Sequence, residues 1–325
     1  MVLNKKQRIV AIDIMKLLAV LMVLNSHMKI CYHPYEFLST GGAIGDALFF
    51  FCSGFMLFIG ADLRFDNFMK KRIARIYPTV IVVAIISCTV FNYNNNIISV
   101  LTNGGGWFVR CIMIYYVLIW GIKKWFRNYL NMVWTALSII VLIWYYFFFD
   151  NQGHVSLFGG NYFKWCFFLF FMLQGAVMGS KSGKYHYNKY VFPKLLACVI
   201  GFYSFHVFQY RFHLLIDLQY LSIIPLLGIT YYVYLFCNAS FWKKMYKNRF
   251  WGQIIFIIGG LCLECYLVQG FFFTDRLNWL FPLNIPIIVL FILSVSYLVN
   301  FLSAVLLQTF QKEGYDYRKC FLMKR

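Results

Sequence analysis

Charge is scarce in this 325-residue sequence, and acidic charge is scarcer still. Charged residues make up 13% of it, with 11 Asp plus Glu against 30 Lys plus Arg. A chain that is 62% hydrophobic and 22% aromatic cannot hide that much apolar area behind so little charge. The shortage excludes a soluble globular protein and points to a polytopic, all-α integral membrane protein. Long polar segments are missing as well. No connection between apolar runs is long enough to fold alone, and neither an internal repeat nor a low-complexity tract is present. The expectation is one membrane domain over residues 1–325 with no appended soluble domain, and with any chemistry inside the bundle.

A disulfide framework is also absent, although cysteine is not. Cys52, Cys88, Cys111, Cys166, Cys198, Cys237, Cys262 and Cys265 all fall in apolar runs and read as small buried hydrophobes. Cys262 and Cys265 have C-x-x-C spacing, but they lack a second pair or a nearby His, so no metal is expected. A cleavable leader is missing too. Lys5, Lys6 and Arg8 precede an apolar run that Asp13 and Lys16 interrupt and that ends without a small-residue cleavage site, so the run reads as a retained transmembrane helix.

What the sequence does contain is ten apolar runs long enough to cross a bilayer. They lie near 10–28, 46–62, 75–91, 107–122, 131–149, 163–180, 191–208, 220–237, 254–273 and 284–308. The second and third are short and carry Ser53, Gly54 and Gly60, which suits a re-entrant or kinked segment. Threading the chain through ten spans puts 24 Lys plus Arg on the side of the termini, 4 on the other side and 2, Lys16 and Arg110, within spans. That asymmetry places both termini in the cytoplasm. It also accounts for the formal charge of +19, which in a soluble protein would suggest nucleic acid; no nucleic-acid partner is expected here. His154 and His213 fall in outer loops without a partner in sequence.

The first run, RIVAIDIMKLLAVLMVLNSH from Arg8 to His27, holds Asp13, Lys16 and His27 in or at the edge of a span. Eleven helical steps leave Lys16 and His27 only about 20° apart in azimuth and about 16 Å apart along the axis. Ionisable groups in a hydrocarbon span usually face a bundle interior or a water-filled cavity. A polar stripe crossing most of the membrane is therefore expected. Two readings of Lys16 stand: it snorkels or pairs with Asp13, or it lines a functional cavity. Arg110 and Glu264 are costly where they stand, and either pair with each other or serve a substrate.

Three ordered stretches carry a resemblance. Asp13, Lys16 and His27 resemble the opening motif of the membrane acyltransferase 3 family, in which ten residues separate Arg or Lys from His. GAIGDALFFFCSGFML, Gly42 to Leu57, is similar to the family's G-x-x-F-F-x-x-S-G-F signature. FMKKRIARIYP, Phe68 to Pro78, resembles its F-x-x-R-R-x-x-R-I-x-P motif, with Arg72 and Arg75 in two Arg positions. LECYLVQ, Leu263 to Gln269, is a weaker counterpart of its late Y-L-x-H segment, with Gln269 in place of the His. Two further departures are Asp46 and Ala47 where Val and Asp often stand, and Ile112 where a Glu often follows Trp107.

The resemblance implies an O-acyltransferase that moves an acyl group, usually acetyl, from cytoplasmic acetyl-CoA or another acyl-CoA to an acceptor outside, commonly a sugar hydroxyl of a polysaccharide or lipid-linked oligosaccharide. His27 would be the general base, with Lys16 and Asp13 completing a catalytic stripe. Arg72, Arg75 and Ser53 would hold the cofactor, the two arginines by pairing with CoA phosphates. Arg110, Glu264 and Gln269 would contact the acceptor. Direct transfer and a transient acyl-His are both open. The chain would sit in the lipid of a bacterial cytoplasmic membrane, and either completes transfer itself or hands the acyl group to a glycan-assembly partner. The alternative from a different class is a proton-coupled secondary transporter, whose usual paired repeats are not found in this sequence.

Overall fold

Backbone N–H and C=O groups inside hydrocarbon must be satisfied within the chain, which leaves helices or closed barrels. In the computed structural model this chain is helical, with no strand among the described residues. Those residues are 8–92, 96–150, 156–158, 163–181, 183–212, 216–311 and 314–321. His154, His213, Lys5, Lys6, Lys312, Lys324 and Arg325 lie outside them.

The helices are α1 (Val10–His27), α2 (Gly42–Ile59), α3 (Phe65–Val90), α4 (Ile97–Asn103), α5 (Gly106–Trp125), α6 (Leu130–Phe148) and α7 (Lys164–Ser180). After these come α8 (Val191–Phe212), α9 (Ile223–Cys237), α10 (Ser240–Lys247), α11 (Arg249–Gly260), α12 (Cys262–Val268), α13 (Asn284–Thr309) and α14 (Tyr317–Cys320). Each of the ten apolar runs falls on helix. Among the described residues, eight helical segments are long and apolar enough to span a bilayer, α11 and α12 form a ninth if the bent pair counts as one span, and α7 is apolar but only 17 residues long.

Two expectations are corrected. The basic segment ahead of the third run is not a connecting loop, because α3 extends back to Phe65 and carries Lys70, Lys71, Arg72 and Arg75 on helix. Long basic side chains can lie along an apolar helix with their heads toward water, so the charges do not end the helix. The interruption expected in the second or third run lies instead in the ninth, where the chain bends by 56° between α11 and α12, just after Gly259 and Gly260. α2 runs unbroken through Ser53 and Gly54, and the glycine serves packing.

That packing is the seam between α2 and α7. A Cβ on Gly54 would stand 1.8 Å from the Met172 carbonyl oxygen, and one on Gly175 would stand 2.0 Å from that of Phe51. Small residues here let two backbones approach, which is how helices gain contact in lipid. Phe50, Phe51, Phe55, Phe167, Phe168 and Phe171 fill the space beside the seam, all fully buried. α1 packs on the other side of α2 and also touches α9, α11 and α12, so it lies among other helices. On α6 and α8, Ile140, Ile143, Leu196 and Ile200 are exposed, as suits walls that meet lipid.

Candidate active site at the two ends of the first helix

His27 is the last residue of α1 and is exposed. The turn that carries it is braced by Asn25, whose amide donates to the carbonyls of Leu38 at 2.8 Å and Thr40 at 3.0 Å and accepts from Tyr32 Oη at 2.6 Å. Ser39 Oγ donates to the carbonyls of Asn25 and Ser26, both at 3.0 Å. These bonds satisfy helix-end carbonyls and hold the loop after His27 against α1.

α2 crosses α1 directly beneath. A Cβ on Gly42 would lie 2.7 Å from Ser26 Oγ, and one on Gly45 would lie 2.7 Å from Val23 Cγ2. Asp46, the next residue, is half-buried, while Ala47 is fully buried. The carboxylate that the sequence shows displaced by one position therefore sits beside the crossing, in the neighbourhood of His27. Its counterpart on α7 is Lys164, whose Nζ lies 4.4 Å from the Trp107 ring centroid. The Lys164 charge acts on both His27 and Asp46. Arg110 is exposed on the first turns of α5, donates from Nε to the Gly106 carbonyl at 3.4 Å and lies 5.6 Å from the Trp165 ring centroid. Gly106 has φ +62, and a Cβ there would meet Tyr266 Oη at 3.0 Å, so glycine lets α5 start against α12.

At the Lys16 end, Asp13 accepts a hydrogen bond from Tyr246 Oη at 2.8 Å and pairs with Arg8 Nε at 3.2 Å. Arg8 in turn lies 3.7 Å from the Phe256 ring centroid. Asp13 thus ties α1 to α10 and to the entering chain, and the local Asp13–Lys16 pair does not form. Tyr246 is on the short basic helix α10, and burial together with the Asp13 carboxylate pushes its phenol up to about 12. Lys16 is half-buried beside α11, where a Cβ on Gly259 would lie 3.4 Å from Lys16 Cβ. Cys262 Sγ donates to the Gly259 carbonyl at 3.0 Å, so a thiol stands close by. Both Lys16 and Arg75 act electrostatically on that thiol, which brings the first and third motifs to one region. Arg72 is half-buried, its guanidinium 5.1 Å from the Phe68 centroid and 5.4 Å from that of Tyr116, with no partner for Nε. Arg75 is exposed. Ser53 is half-buried on α2.

Glu264 and Gln269 are both buried, each 5% exposed. Glu264 Oε1 accepts from Thr79 Oγ1 at 3.3 Å and from Asn300 Nδ2 at 3.0 Å, joining α3, α12 and α13. The pairing of Arg110 with Glu264 weighed from sequence does not occur, because two neutral donors already serve the carboxylate. Gln269 Oε1 has no hydrogen-bond partner. A buried acceptor left open is costly, and it is available to a donor that enters the bundle.

Sequence reasoning missed Lys164, Asn25, Tyr246, Thr79 and Asn300. A lysine opening an apolar run reads as an anchor of topology, and single Thr or Asn residues inside such runs give no signal of their distant partners. Lys164 stands beside Trp165, and only that pairing of cation and indole at a span's edge hints at more.

A family model described as an acyltransferase domain matches residues 9–306. No curated protein and no solved structure matches the chain.

Proposed function

We propose, from the premise that the chain belongs to the membrane acyltransferase 3 family, that it is an O-acyltransferase using cytoplasmic acyl-CoA, with acetyl-CoA as donor, and a hydroxyl of an extracytoplasmic or lipid-linked glycan as acceptor. Both termini are cytoplasmic in this reading, so the Lys16 end of α1 faces the donor and the His27 end faces the acceptor. The observation that carries it is α1 itself: a half-buried Lys16 near Arg75 at one end and an exposed, braced His27 at the other, on one helix face. A cytoplasmic thioester and an external hydroxyl must meet across a low-dielectric layer, and Lys16 and His27, about 16 Å apart along α1, mark the two ends of the reach that a pantetheine arm would make.

The residues then divide the work. Arg72, Arg75 and Lys16 hold the donor's phosphates and amides, since guanidinium groups match phosphate oxygens bidentately. His27 takes the proton of the acceptor hydroxyl as its oxygen attacks the thioester carbonyl. The C–O bond forms, the C–S bond breaks, and the CoA thiolate leaves and takes up the proton from the imidazolium. Gln269, with its open Oε1, accepts from a second hydroxyl of the sugar. A transporter would be favoured by paired broken helices. The bend between α11 and α12 has no counterpart among the described residues.

The test is the acetate content of surface polysaccharide, by proton NMR, in cells carrying the wild-type gene, no gene, or His27→Ala at matched expression. Acetyl signals that require the wild-type gene support the reading, and the same spectrum shows which sugar carries them. His27→Ala should reduce transfer by about 10²–10⁴-fold. Wild-type acetylation by His27→Ala would remove the histidine from the mechanism.

A further inference from the structure

We infer that Lys164 is a catalytic residue of the transfer, placed to donate a hydrogen bond to the acyl carbonyl oxygen as that oxygen takes up negative charge. The inference rests on the acyl-transfer reading above and adds a residue that none of the matched motifs contains.

The geometry comes from two helices that run in the same direction from the His27 end. Phe50 on α2 and Phe168 on α7 are in contact, with ring centroids 5.3 Å apart. Asp46 lies four residues before Phe50 and Lys164 four residues before Phe168, so each stands one turn above its phenylalanine on the same helix face. Asp46 and Lys164 therefore look toward each other across the seam, one turn nearer the His27 end than the aromatic floor. Trp107 widens that floor, stacked on Phe168 at 5.7 Å with the Lys164 ammonium 4.4 Å from its own centroid. His27 approaches from the third side, because Gly45 beside Asp46 packs on Val23, one turn before His27. An imidazole, a carboxylate and an ammonium are thus brought from three helices to one place above an aromatic base.

The electrostatics favour a reactive role. An ammonium held at the edge of hydrocarbon is costly, and Lys164 runs against the charge asymmetry that places 24 of 30 basic residues at the opposite side. A fixed positive charge is most useful where negative charge develops and water is scarce. In the transfer, the acyl carbonyl oxygen becomes an oxyanion when the acceptor oxygen bonds to carbon. Lys164 donates to that oxyanion and relinquishes the bond when the carbonyl re-forms and the thiolate departs, so no proton is consumed. Asp46, facing it across the seam, holds the ammonium in place by its charge. Arg110 is less suited, being exposed, bonded to Gly106 and turned to Trp165.

Inverted membrane vesicles supplied with radiolabelled acetyl-CoA, using their own glycan as acceptor, test this directly. Lys164→Met should lower the maximal transfer rate by about 10²–10³-fold, with the half-saturating acetyl-CoA concentration changed by less than about threefold. Lys164→Arg should retain about a tenth of the rate or more, and Lys164→Gln should fall between the two while guarding against a folding defect of the Met variant. A Lys164→Met or Lys164→Gln protein that transfers within about threefold of wild type overturns the inference, and so does a loss confined to donor affinity. His27→Ala in the same vesicles separates the two ideas. If it is inactive while Lys164→Met is active, only the role of Lys164 falls. If wild type transfers no label, the acyl-transfer reading falls and Lys164 with it.

Discussion

At the Lys16 end of the bundle the carboxylates are occupied: Asp13 by Arg8 and Tyr246, Glu264 by Thr79 and Asn300. At the His27 end Asn25 and Ser39 donate to backbone, while His27, Asp46 and Lys164 lie close enough together for the Lys164 charge to act on the other two. One end uses its acids to join helices, and the other braces its main chain and gathers an imidazole, a carboxylate and an ammonium from three helices. A two-ended transfer needs both, since a donor tens of atoms long must be held steadily while a small acyl group reacts at its tip.

The largest effect should come from removing what both ends share. Gly54→Val puts a branched side chain where the Met172 carbonyl stands 1.8 Å from the first added carbon. Neither backbone can yield, so the seam must open, at a cost at or above about 3 kcal/mol. The monodisperse fraction after detergent extraction should collapse and transfer should vanish with it. A well-folded Gly54→Val protein would mean that α2 and α7 do not meet as described.

Glu264 sharpens the contrast, because the two readings of it diverge. Glu264→Leu leaves the Thr79 hydroxyl and the Asn300 amide unpaired in a buried place and should destabilise the protein by about 2–3 kcal/mol. Glu264→Gln keeps an oxygen acceptor and should cost less than about 1 kcal/mol, with transfer within about threefold of wild type. Thermal unfolding followed by tryptophan fluorescence gives the first quantity and vesicle transfer the second. A folded Glu264→Gln protein that has lost a hundredfold in rate would place the carboxylate in the chemistry and erase the distinction between the ends.

Asp13 should show a smaller effect of the same kind. Asp13→Ala removes both the Arg8 pair and the acceptor for Tyr246, for a loss of about 1–2 kcal/mol. Tyr246→Phe should cost about as much, and the double variant should cost less than the sum, because both remove one contact. Strict additivity would show that the Asp13–Tyr246 bond contributes nothing to stability.

Much of this architecture is legible in the sequence because hydropathy and motif spacing are local. The ten apolar runs and the shared face of Lys16 and His27 follow from residues near one another. Partner choice does not. Nothing near Gly54 names Gly175, and nothing near Asp13 names Tyr246, 233 residues away, so the neighbouring Lys16 was the natural partner to expect. Glu264 shows the same limit: the cost of a buried acid suggests a cation, whereas the fold supplies two neutral donors from α3 and α13. Lys164 was hidden by its position, since a lysine at the edge of a span can lay its stem along apolar surface with its head toward water and needs no partner to explain it.

The smallest effect expected is at Asp62, in the turn after α2 on the Lys16 side. Lys123 and Arg127 each stand 2.8 Å from its carboxylate and, Lys123 foremost, hold it below the ordinary Asp range against the opposing effect of burial. A carboxyl whose folded value is depressed contributes stability above its unfolded value of about 3.9, and loses that contribution as pH falls through the lower folded value. Between pH 5 and 8 nothing should change. Below about pH 4 the wild type should lose less than about 1 kcal/mol through this group, because the carboxylate is largely exposed and its pairs are screened by solvent. Asp62→Asn should lack that acid-dependent increment while keeping near-wild-type stability at neutral pH, since Lys123 still donates to the carbonyls of Leu57 at 3.0 Å and Gly60 at 2.7 Å. Parallel acid unfolding curves for the two proteins would show that the ion pairs add nothing, and that the end of α2 is held by the lysine's bonds to backbone alone.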